Sequence, residues 1–566
     1  MPFKHKNTRH RKKQQFVGRK TRRNRIDGGI PPGFSPTTPY KILSNITKRL
    51  NFLDPSRYRT YEHEYRMPEK IPTPTQTITY NDREREAISK INRFITKKHP
   101  IFISKNLQEI CSDSNVCIAF GTQANQIRTF FDDFNNFKLL SNSVKRIGKT
   151  SANGFVNELT YLRYGYVANT VLKSSVSRSA DNLLYEALVG FFLNKMSVHF
   201  PSFLETYGLY KYKDEDVYNT LKDNTQTESI LLNRGLKRIA TNSQDINNSI
   251  IRSACFIPKS MSVMIQYLKG VKTLKDYIIE IIGRRLYVDS DFVENDLLYV
   301  FFQVYMTLST LSKVFTHYDL HMENVLIYQP VEGSYIEYHY HIDGKEVIFK
   351  SSYIAKIIDY GRCYFNDKQN DNKHINNSKN VLTTLCNQCF KCGTLSGFRW
   401  LNKTLDPESY YISSQNPNAS HDLRLLYELK RLDMQTGGQI ILDRNLRDII
   451  YKTKYGVGVS DNSNSGKRFG TKQPTLLRTA IQKTKKALSM NLKINTVRDA
   501  FSKILELLNT PDYIERNNLF YDKKTKLGEL HIYGLEKPME WKPELSNLKQ
   551  PTPIGVTQRS DSTVYI

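Results

Sequence analysis

The stretch THYDLHMENVLIY at 316–328, followed by KIIDYGR at 356–362, decides how this chain is interpreted. It lies between a long apolar segment from Phe292 to Phe315, which predicts a buried helix, and a short apolar run, which predicts a strand. Phosphoryl transfer from a nucleotide needs a carboxylate to orient the acceptor hydroxyl, and oxygen ligands to hold Mg²⁺. The spacing predicts Asp319 in the first role and Asn324 and Asp359 in the second.

Three upstream features complete a predicted nucleotide site in the order that such chemistry requires. A glycine-rich turn at 146–156 supplies backbone that can approach phosphate closely. The apolar strand ANTVLKSS ends near Lys173. An apolar-periodic stretch from Leu183 to Met196, which begins in DNLLYEALVGFF, predicts a helix that carries Glu186, a natural ion-pair partner for that lysine. Lys173 and Glu186 are therefore grouped with Asp319 as catalytic candidates. The predicted phosphate lid comprises Gly148, Ser151, Asn153 and Gly154.

Taken together, these motifs resemble those of the protein-kinase-like superfamily, and most closely those of the kinase-like proteins of large, nucleocytoplasmic DNA viruses. The closer likeness is carried by IGKTSANGFVNE, ADNLLYEALVG, FPSFLETYGLY, HYDLHMENVLIY and CGTLSGFRWL. It covers roughly residues 110–510. The resemblance implies an α+β, two-lobed fold, with a small β-rich N-lobe, a larger helical C-lobe and ATP bound between them.

The resemblance also implies roles for residues outside the main motifs. In MIQYLKG, Gln266 and Leu268 would lie near the adenine, as in a kinase hinge. The apolar run SVMIQYL at 262–268 independently predicts a buried strand there. In SHDLRLL, Asp422 would brace the backbone of the catalytic loop. His317 is expected to brace the same loop through a backbone hydrogen bond, without a catalytic role.

The sequence departs from the usual kinase pattern at several points. The glycine-rich turn is one residue longer, with Thr150 where a middle glycine is expected. Asp319 and Asp359 are 40 residues apart, about twice the usual spacing, and a hairpin predicted at 334–350 around Asp343-Gly344 accounts for the excess. His321 stands where Ser/Thr kinases usually have lysine, and an A-P-E motif is absent from the sequence.

The expected function is ATP- and Mg²⁺-dependent transfer of the γ-phosphoryl group to a hydroxyl on protein Ser or Thr. Two alternatives stay open. One is a kinase-fold structural or scaffolding virion protein that turns over little ATP and binds nucleic acid or acidic partners. The other, suggested by the DLH form of the loop, is a kinase for a small hydroxylated metabolite.

Four cysteines between 363 and 392 form a second candidate metal site. Cys386, Cys389 and Cys392 have C-x2-C-x2-C spacing, and Cys363 is a candidate fourth ligand. Thiolates at this spacing can hold structural Zn²⁺. Redox-sensitive or disulfide-linked cysteines are a second interpretation, and plain small buried residues are the third.

Charge is the main compositional signal. The 83 Lys and Arg exceed the 55 Asp and Glu by 28, which indicates an acidic partner. Eleven of the cationic residues lie between Lys4 and Arg25 without an acid. This tail is expected either to be a solvated arm or to bind nucleic acid or another polyanion, with nuclear import as a related role.

The expected organisation has five parts: a disordered basic tail (1–40), a partly helical extension (41–140), the N-lobe (141–268), the C-lobe (269–510) and a C-terminal tail (511–566). No window approaches 18 uninterrupted apolar residues, and the N-terminus opens with charged residues, so we expect neither a membrane span nor a secretory leader. A soluble, intracellular protein is therefore expected, in the host cytoplasm, virus factory or virion if the chain is viral.

Overall fold

The computed structural model describes most of the chain between residues 119 and 544. The described residues are 40–42, 116–117, 119–251, 261–284, 290–381, 416–435, 442–453 and 494–544, with internal gaps at 142, 149, 151–153, 164–165, 177–182 and 269–270. The basic tail up to residue 39 and five candidate site residues lie outside them: Ser151, Asn153, Cys386, Cys389 and Cys392.

The described part of the chain is mixed α+β, as expected. Its helices are α1 (Ala124–Phe130), α2 (Leu183–Met196), α3 (Glu215–Asp223), α4 (Ile230–Gly235), α5 (Leu274–Arg284), α6 (Ser290–Asn295), α7 (Leu297–Leu311), α8 (Arg424–Gln435), α9 (Arg444–Lys452), α10 (Val497–Leu508) and α11 (Pro511–Tyr521). Within this part, every helix is too short or too polar to cross a bilayer.

The strands divide between one large sheet and three small ones. They are β1 (Tyr40–Ile42), β2 (Val116–Cys117), β3 (Ser143–Ile147), β4 (Gly154–Arg163), β5 (Tyr166–Ser175), β6 (Thr206–Tyr212), β7 (Gln226–Glu228), β8 (Leu236–Ala240), β9 (Met261–Gln266), β10 (Lys272–Thr273), β11 (Phe315–Thr316), β12 (Val325–Tyr328), β13 (Ser334–Ile342), β14 (Lys345–Ser351), β15 (Ile354–Ile357), β16 (Tyr364–Phe365), β17 (Thr525–Ile532) and β18 (Glu540–Pro543).

The large sheet is antiparallel and has the order β7-β3-β4-β5-β9-β6-β8, with β1 also paired to β5. Strand β5 lies near its centre, where Lys173 is opposite Val156 on β4 and Val263 on β9. Strand β9, predicted as a buried strand at 262–268, is buried along its whole length. Lys173 is therefore held by a strand that is paired on both sides.

Helix α2 begins and ends at the predicted residues and packs against this sheet. Its residues from Leu183 to Phe192 are buried without interruption, which is typical of a helix covered on all sides. Gly190 lets the helix backbone lie close to β6, because a Cβ at this position would lie 2.1 Å from Oγ1 of Thr206 on that strand. The sheet thereby fixes the helix that carries Glu186.

The predicted hairpin at 334–350 is confirmed as β13 and β14. Asp343 and Gly344 both have positive φ, 49° and 73°, as a two-residue type I′ turn requires. Strand β17, from the C-terminal part of the chain, pairs in parallel with β13, so the sheet has the order β14-β13-β17-β18.

Two boundaries differ from the sequence-based expectation. The apolar stretch from 292 to 315 forms two helices, α6 and α7, separated at Asp296, followed by β11. Asp296 is buried and accepts a hydrogen bond from Ser351 Oγ at 2.7 Å, which places a polar contact where a continuous apolar helix was expected. The segment expected as a tail from 511 is folded as far as 544, because α11, β17 and β18 bury Tyr521, Leu530 and Trp541.

Residues 119–140, expected to belong to an extension, pack against buried side chains of the large sheet. Phe131 stacks on Phe134, and Phe134 contacts Tyr161 and Tyr207 at ring-centroid distances of 5.2 and 4.4 Å. Each buried aromatic ring of this kind contributes about 1.5–3 kcal/mol by leaving water. This part of the extension is therefore integral to the sheet's core.

Candidate active site

Lys173 and Glu186 meet in the interior between β5 and α2. Lys173 Nζ lies 2.9 Å from Glu186 Oε1 and 2.8 Å from Oε2, and the two side chains are 9% and 7% exposed. Burial alone lowers the pKa of Lys173, but Glu186 and Asp359 outweigh it and the pKa is raised. Burial raises the pKa of Glu186, whereas Lys173 lowers it, so this carboxylate depends on its partner to stay ionised.

Asp359 joins this pair from the end of β15. Its Oδ1 lies 3.5 Å from Lys173 Nζ, across 186 residues of sequence. Asp359 has a left-handed backbone (φ 68°, ψ 71°), a conformation that costs a non-glycine residue on the order of 1 kcal/mol or more. Strain of this kind is concentrated at functional sites, where the surrounding structure maintains it.

Asp319 and Asn324 lie in the loop between β11 and β12. The side-chain Nδ2 of Asn324 donates a hydrogen bond to the backbone carbonyl oxygen of Asp319 at 2.9 Å. The backbone carbonyl of Asn324 accepts a hydrogen bond from the backbone N–H of Ile358 at 3.0 Å. Asn324 thus ties the loop to the residue before Asp359. Because the side-chain Nδ2 of Asn324 already donates this hydrogen bond within the loop, the side-chain Oδ1 is the atom that could bind a cation.

Two buried residues fix the shape of this loop. His317 Nε2 lies 2.8 Å from the Ile358 carbonyl, as expected for a bracing residue, and burial lowers its pKa to about 4, so the ring is neutral. Asp422 accepts hydrogen bonds from the backbone N–H groups of His317 and Tyr318 at 2.8 and 2.9 Å. Burial raises the pKa of Asp422 to about 7, and these two bonds limit the rise.

The carboxylate of Asp319 contacts two arginines that the sequence analysis did not single out. Arg362 Nη1 donates to Oδ2 at 2.8 Å, and Arg424 Nη1 donates to Oδ1 at 2.6 Å. Arg362 directly follows the Asp-Tyr-Gly motif and Arg424 lies two residues after Asp422, so proximity to both motifs was the available signal. The two guanidinium groups compensate the negative charge of the Asp319 carboxylate, whose side chain is only 7% exposed.

The remaining candidates occupy the edges of the same region. Gly148 (φ 64°) follows β3, and Gly154 begins β4, where a Cβ would lie 2.4 Å from the Ser174 carbonyl oxygen. Gln266 ends β9 and donates its backbone N–H to the Glu205 carbonyl at 2.8 Å, and Leu268 is buried just beyond it. Gly154 therefore lies opposite the end of β5, two residues beyond Lys173, and Gln266 and Leu268 lie where β9 ends.

Cys363 is a buried thiol without a disulfide, and burial raises its pKa well above the ordinary range. The three other cysteines of the candidate zinc cluster lie outside the described residues. Within the part of the chain that the structure describes, Cys363 belongs to no group of three metal-ligating side chains.

Asp359 thus lies beside the ammonium group of Lys173, and the loop that carries Asp319 is hydrogen-bonded to the residue before Asp359. Oxygen ligands from Asp359 and Asn324 suit a hard cation such as Mg²⁺, and Lys173 would face an anionic group beside it. No protein-family model matches this chain, and no curated protein is similar to it.

Proposed function

We propose that the protein is a kinase-like phosphotransferase that moves the γ-phosphoryl group of ATP to a hydroxyl on protein Ser or Thr. The observation that carries the proposal is the convergence of Lys173, Glu186 and Asp359. These residues belong to three separate elements, yet Lys173 Nζ lies within 3.5 Å of both carboxylates. An ammonium group between these two acids is the arrangement that a magnesium nucleotide site needs.

The residues of the chain divide the work as follows. Lys173, positioned by Glu186, would contact the nucleotide's phosphates. Asp359 and Asn324 would hold Mg²⁺, which neutralises developing charge on the phosphates when bound. Asp319 would orient the acceptor hydroxyl and accept its proton. Catalysis would come from positioning and charge stabilisation rather than from a covalent enzyme intermediate.

The topology supports a two-lobed, kinase-like fold. Five strands of the large sheet have the order β3-β4-β5-β9-β6, and α2 lies in the sequence between β5 and β6. The helical part begins with α5 after β9, so Gln266, the last residue of β9, and Leu268 lie close to the connection between the two, which supports their assignment to the hinge. The β13–β14 hairpin accounts for the long spacing between Asp319 and Asp359. The two ends of this insertion stay close together, because the backbone N–H of Ile358 donates a hydrogen bond to the backbone carbonyl of Asn324.

A second candidate function is a kinase-fold scaffold with little turnover. The observation in its favour is the engagement of Asp319 by Arg362 and Arg424, which occupies both carboxylate oxygens. The basic tail would give such a scaffold its affinity for nucleic acid or acidic partners. Viral origin, and location in a virus factory or virion, remain proposals from the resemblance of the motifs.

The two functions are separated by incubating the full chain with γ-labelled ATP and Mg²⁺, with and without generic protein acceptors. Transfer by the wild type that is lost in Asp319→Asn and Asp359→Asn supports the kinase. Label transfer that is equal in the wild type and both variants would identify a contaminant and favour the scaffold. A panel of small hydroxylated acceptors tests the metabolite alternative in the same assay.

A further inference from the structure

A cluster of histidines and acids lies on one face of the β14-β13-β17-β18 sheet, outside the set of residues assigned to phosphotransfer. Cross-strand register brings it together, because His339 is opposite His531 and His341 is opposite Glu346. Alternate residues of a strand point to one face, so His339 and His341 share a face with Glu337. The imidazole rings of His339 and His531 stack with their centroids 4.4 Å apart, and the rings of His341 and His531 stack with their centroids 5.6 Å apart.

Three ligand atoms from three neighbouring strands converge there. His341 Nε2 lies 3.3 Å from His531 Nδ1 and 3.7 Å from Glu346 Oε1, and all three atoms lie within 4.8 Å of one another. Two nitrogen ligands bound at about 2.0–2.1 Å in a tetrahedral Zn²⁺ site are about 3.4 Å apart. The separation of the two imidazole nitrogens therefore already matches that of a metal-bound pair.

The groups around these atoms are those that orient metal ligands. Glu529 Oε2 lies 3.4 Å from His531 Nε2, the ring nitrogen that faces away from His341. A carboxylate at this place favours the tautomer with hydrogen on Nε2, which leaves Nδ1 to bind a metal. His339 Nδ1 lies 2.8 Å from Glu346 Oε1 and holds that carboxylate beside the two rings.

We propose that His341, His531 and Glu346 form a site for a divalent transition metal of the zinc class, with further coordination positions filled by water. The side chains of His341 and Glu346 are 32% and 41% exposed, so the metal can enter from solvent. The bound ion joins β17 to the β13–β14 hairpin, and it therefore stabilises the fold. This inference does not depend on the proposed phosphotransfer function.

One neighbouring group competes with the metal. Lys542 Nζ lies 3.0 Å from His531 Nε2, where the ammonium group donates to that nitrogen and favours hydrogen on Nδ1. Metal binding at Nδ1 moves this proton to Nε2, and the ammonium group must turn away. Strand register places Lys542 opposite Glu529, so the carboxylate of Glu529 can form an ion pair with the displaced ammonium group. Lys542→Gln should therefore bind the metal more tightly than the wild type does.

The test uses the full chain stripped of metal by a chelator and titrated with Zn²⁺ or Co²⁺. The wild type should bind one equivalent more than His341→Ala or His531→Ala, and Zn²⁺ should raise its melting temperature but not theirs. Glu346→Gln, at an exposed position, should keep the fold and weaken binding by roughly 10-fold or more. His374→Ala, an exposed histidine outside the cluster, should behave like the wild type.

Cobalt distinguishes this site from the cysteine cluster. Nitrogen and oxygen ligands give only visible d–d bands, whereas thiolate ligands add an intense charge-transfer band in the near ultraviolet. The band set lost in His341→Ala should be the one without thiolate character. The proposal is overturned if the wild type binds no metal, if His341→Ala and Glu346→Gln bind as many equivalents as the wild type with equal affinity, or if only thiolate bands appear.

Discussion

Arg424 donates a hydrogen bond from Nη1 to Oδ1 of Asp319 over 2.6 Å, linking α8 to the loop that carries the proposed acceptor-orienting carboxylate. Both side chains are largely buried, at 18% and 7% exposure. A charge pair removed from water is sensitive to the loss of one partner, because the other is left buried without full compensation. Arg362 holds the second carboxylate oxygen, so the acid is shared between two cations.

This pair should be energetically coupled. We expect a double-mutant cycle of Asp319→Asn and Arg424→Gln, measured by urea unfolding, to give a coupling free energy of about 1–3 kcal/mol. The exposed pair of Asp448 and Lys452 on α9 is the matched control, and its coupling should be about 0.5 kcal/mol or less. Equal coupling in the two cycles would show that the Asp319 contact contributes no more than a surface ion pair.

Asp359→Asn should abolish metal-dependent nucleotide turnover and leave the fold intact. The substitution removes a carboxylate charge from the proposed Mg²⁺ site without changing side-chain volume, and a loss on the order of 100-fold or more is expected. Turnover is measured with Mg-ATP, and stability by thermal unfolding, with the exposed Asp448→Asn as control. Wild-type ATP consumption by Asp359→Asn would refute the assigned metal site, and a large fall in melting temperature would indicate a structural aspartate instead.

The sequence predicted local features better than distant ones. Helix α2 and the β13–β14 hairpin were predicted at their observed residues, because continuous apolar character and an Asp-Gly turn are local signals. The pairing of Lys173 with Glu186 was predicted from the order of the motifs and the chemistry of a nucleotide site rather than from periodicity. Agreement at these places reflects consistency between local preference and the tertiary fold.

Contacts made only in the tertiary structure could not be predicted in the same way. The parallel pairing of β17 with β13 joins segments about 190 residues apart, and strand pattern alone does not specify a partner. The same pairing brings His531 beside His341 and Glu346, so the hairpin alone could not predict the histidine cluster. Arg362 and Arg424 were missed for a similar reason, since an arginine's partner depends on which loop faces it.

Asp296 should make stability depend on pH. Burial raises its pKa from an ordinary value of 3.8 to about 6, although Tyr521 and Ser351 donate hydrogen bonds to it. Between about pH 4 and 6 the folded state therefore binds more protons at this residue than the unfolded state does. By linkage, this contribution to the free energy of unfolding is present at low pH and is lost as the pH rises through 6.

The corresponding variant is Asp296→Asn, which keeps the volume and an acceptor oxygen but cannot ionise. Relative to the wild type, it should gain about 3 kcal/mol between pH 4 and pH 7, from two pKa units at 1.36 kcal/mol each. Urea unfolding of both proteins across this range measures the difference. A difference that stays constant with pH would mean that Asp296 has an ordinary pKa in the folded protein.

Deleting residues 1–30 should flatten the salt dependence of binding to DNA or RNA and leave phosphotransfer unchanged. Eleven cationic side chains without an acid bind polyanions mainly through counterion release, which is steeply salt-dependent and independent of base sequence. Affinity is measured by fluorescence anisotropy at several salt concentrations, with the full chain for comparison. An unaltered slope would assign polyanion binding to basic surfaces elsewhere on the protein.

Lys173 and Glu186 should act as one unit in turnover, because a buried ammonium 2.8 Å from its carboxylate partner is positioned by that contact. Lys173→Met should remove most of the transfer rate, and adding Glu186→Gln should then cost little more, since groups that work together are strongly non-additive. A double-mutant cycle on turnover at saturating Mg-ATP measures this, with Asp319→Asn as the inactive reference. Additive losses would mean that the two residues act independently. Full turnover in both single variants and in Asp319→Asn would assign the activity to a contaminant and favour the scaffold.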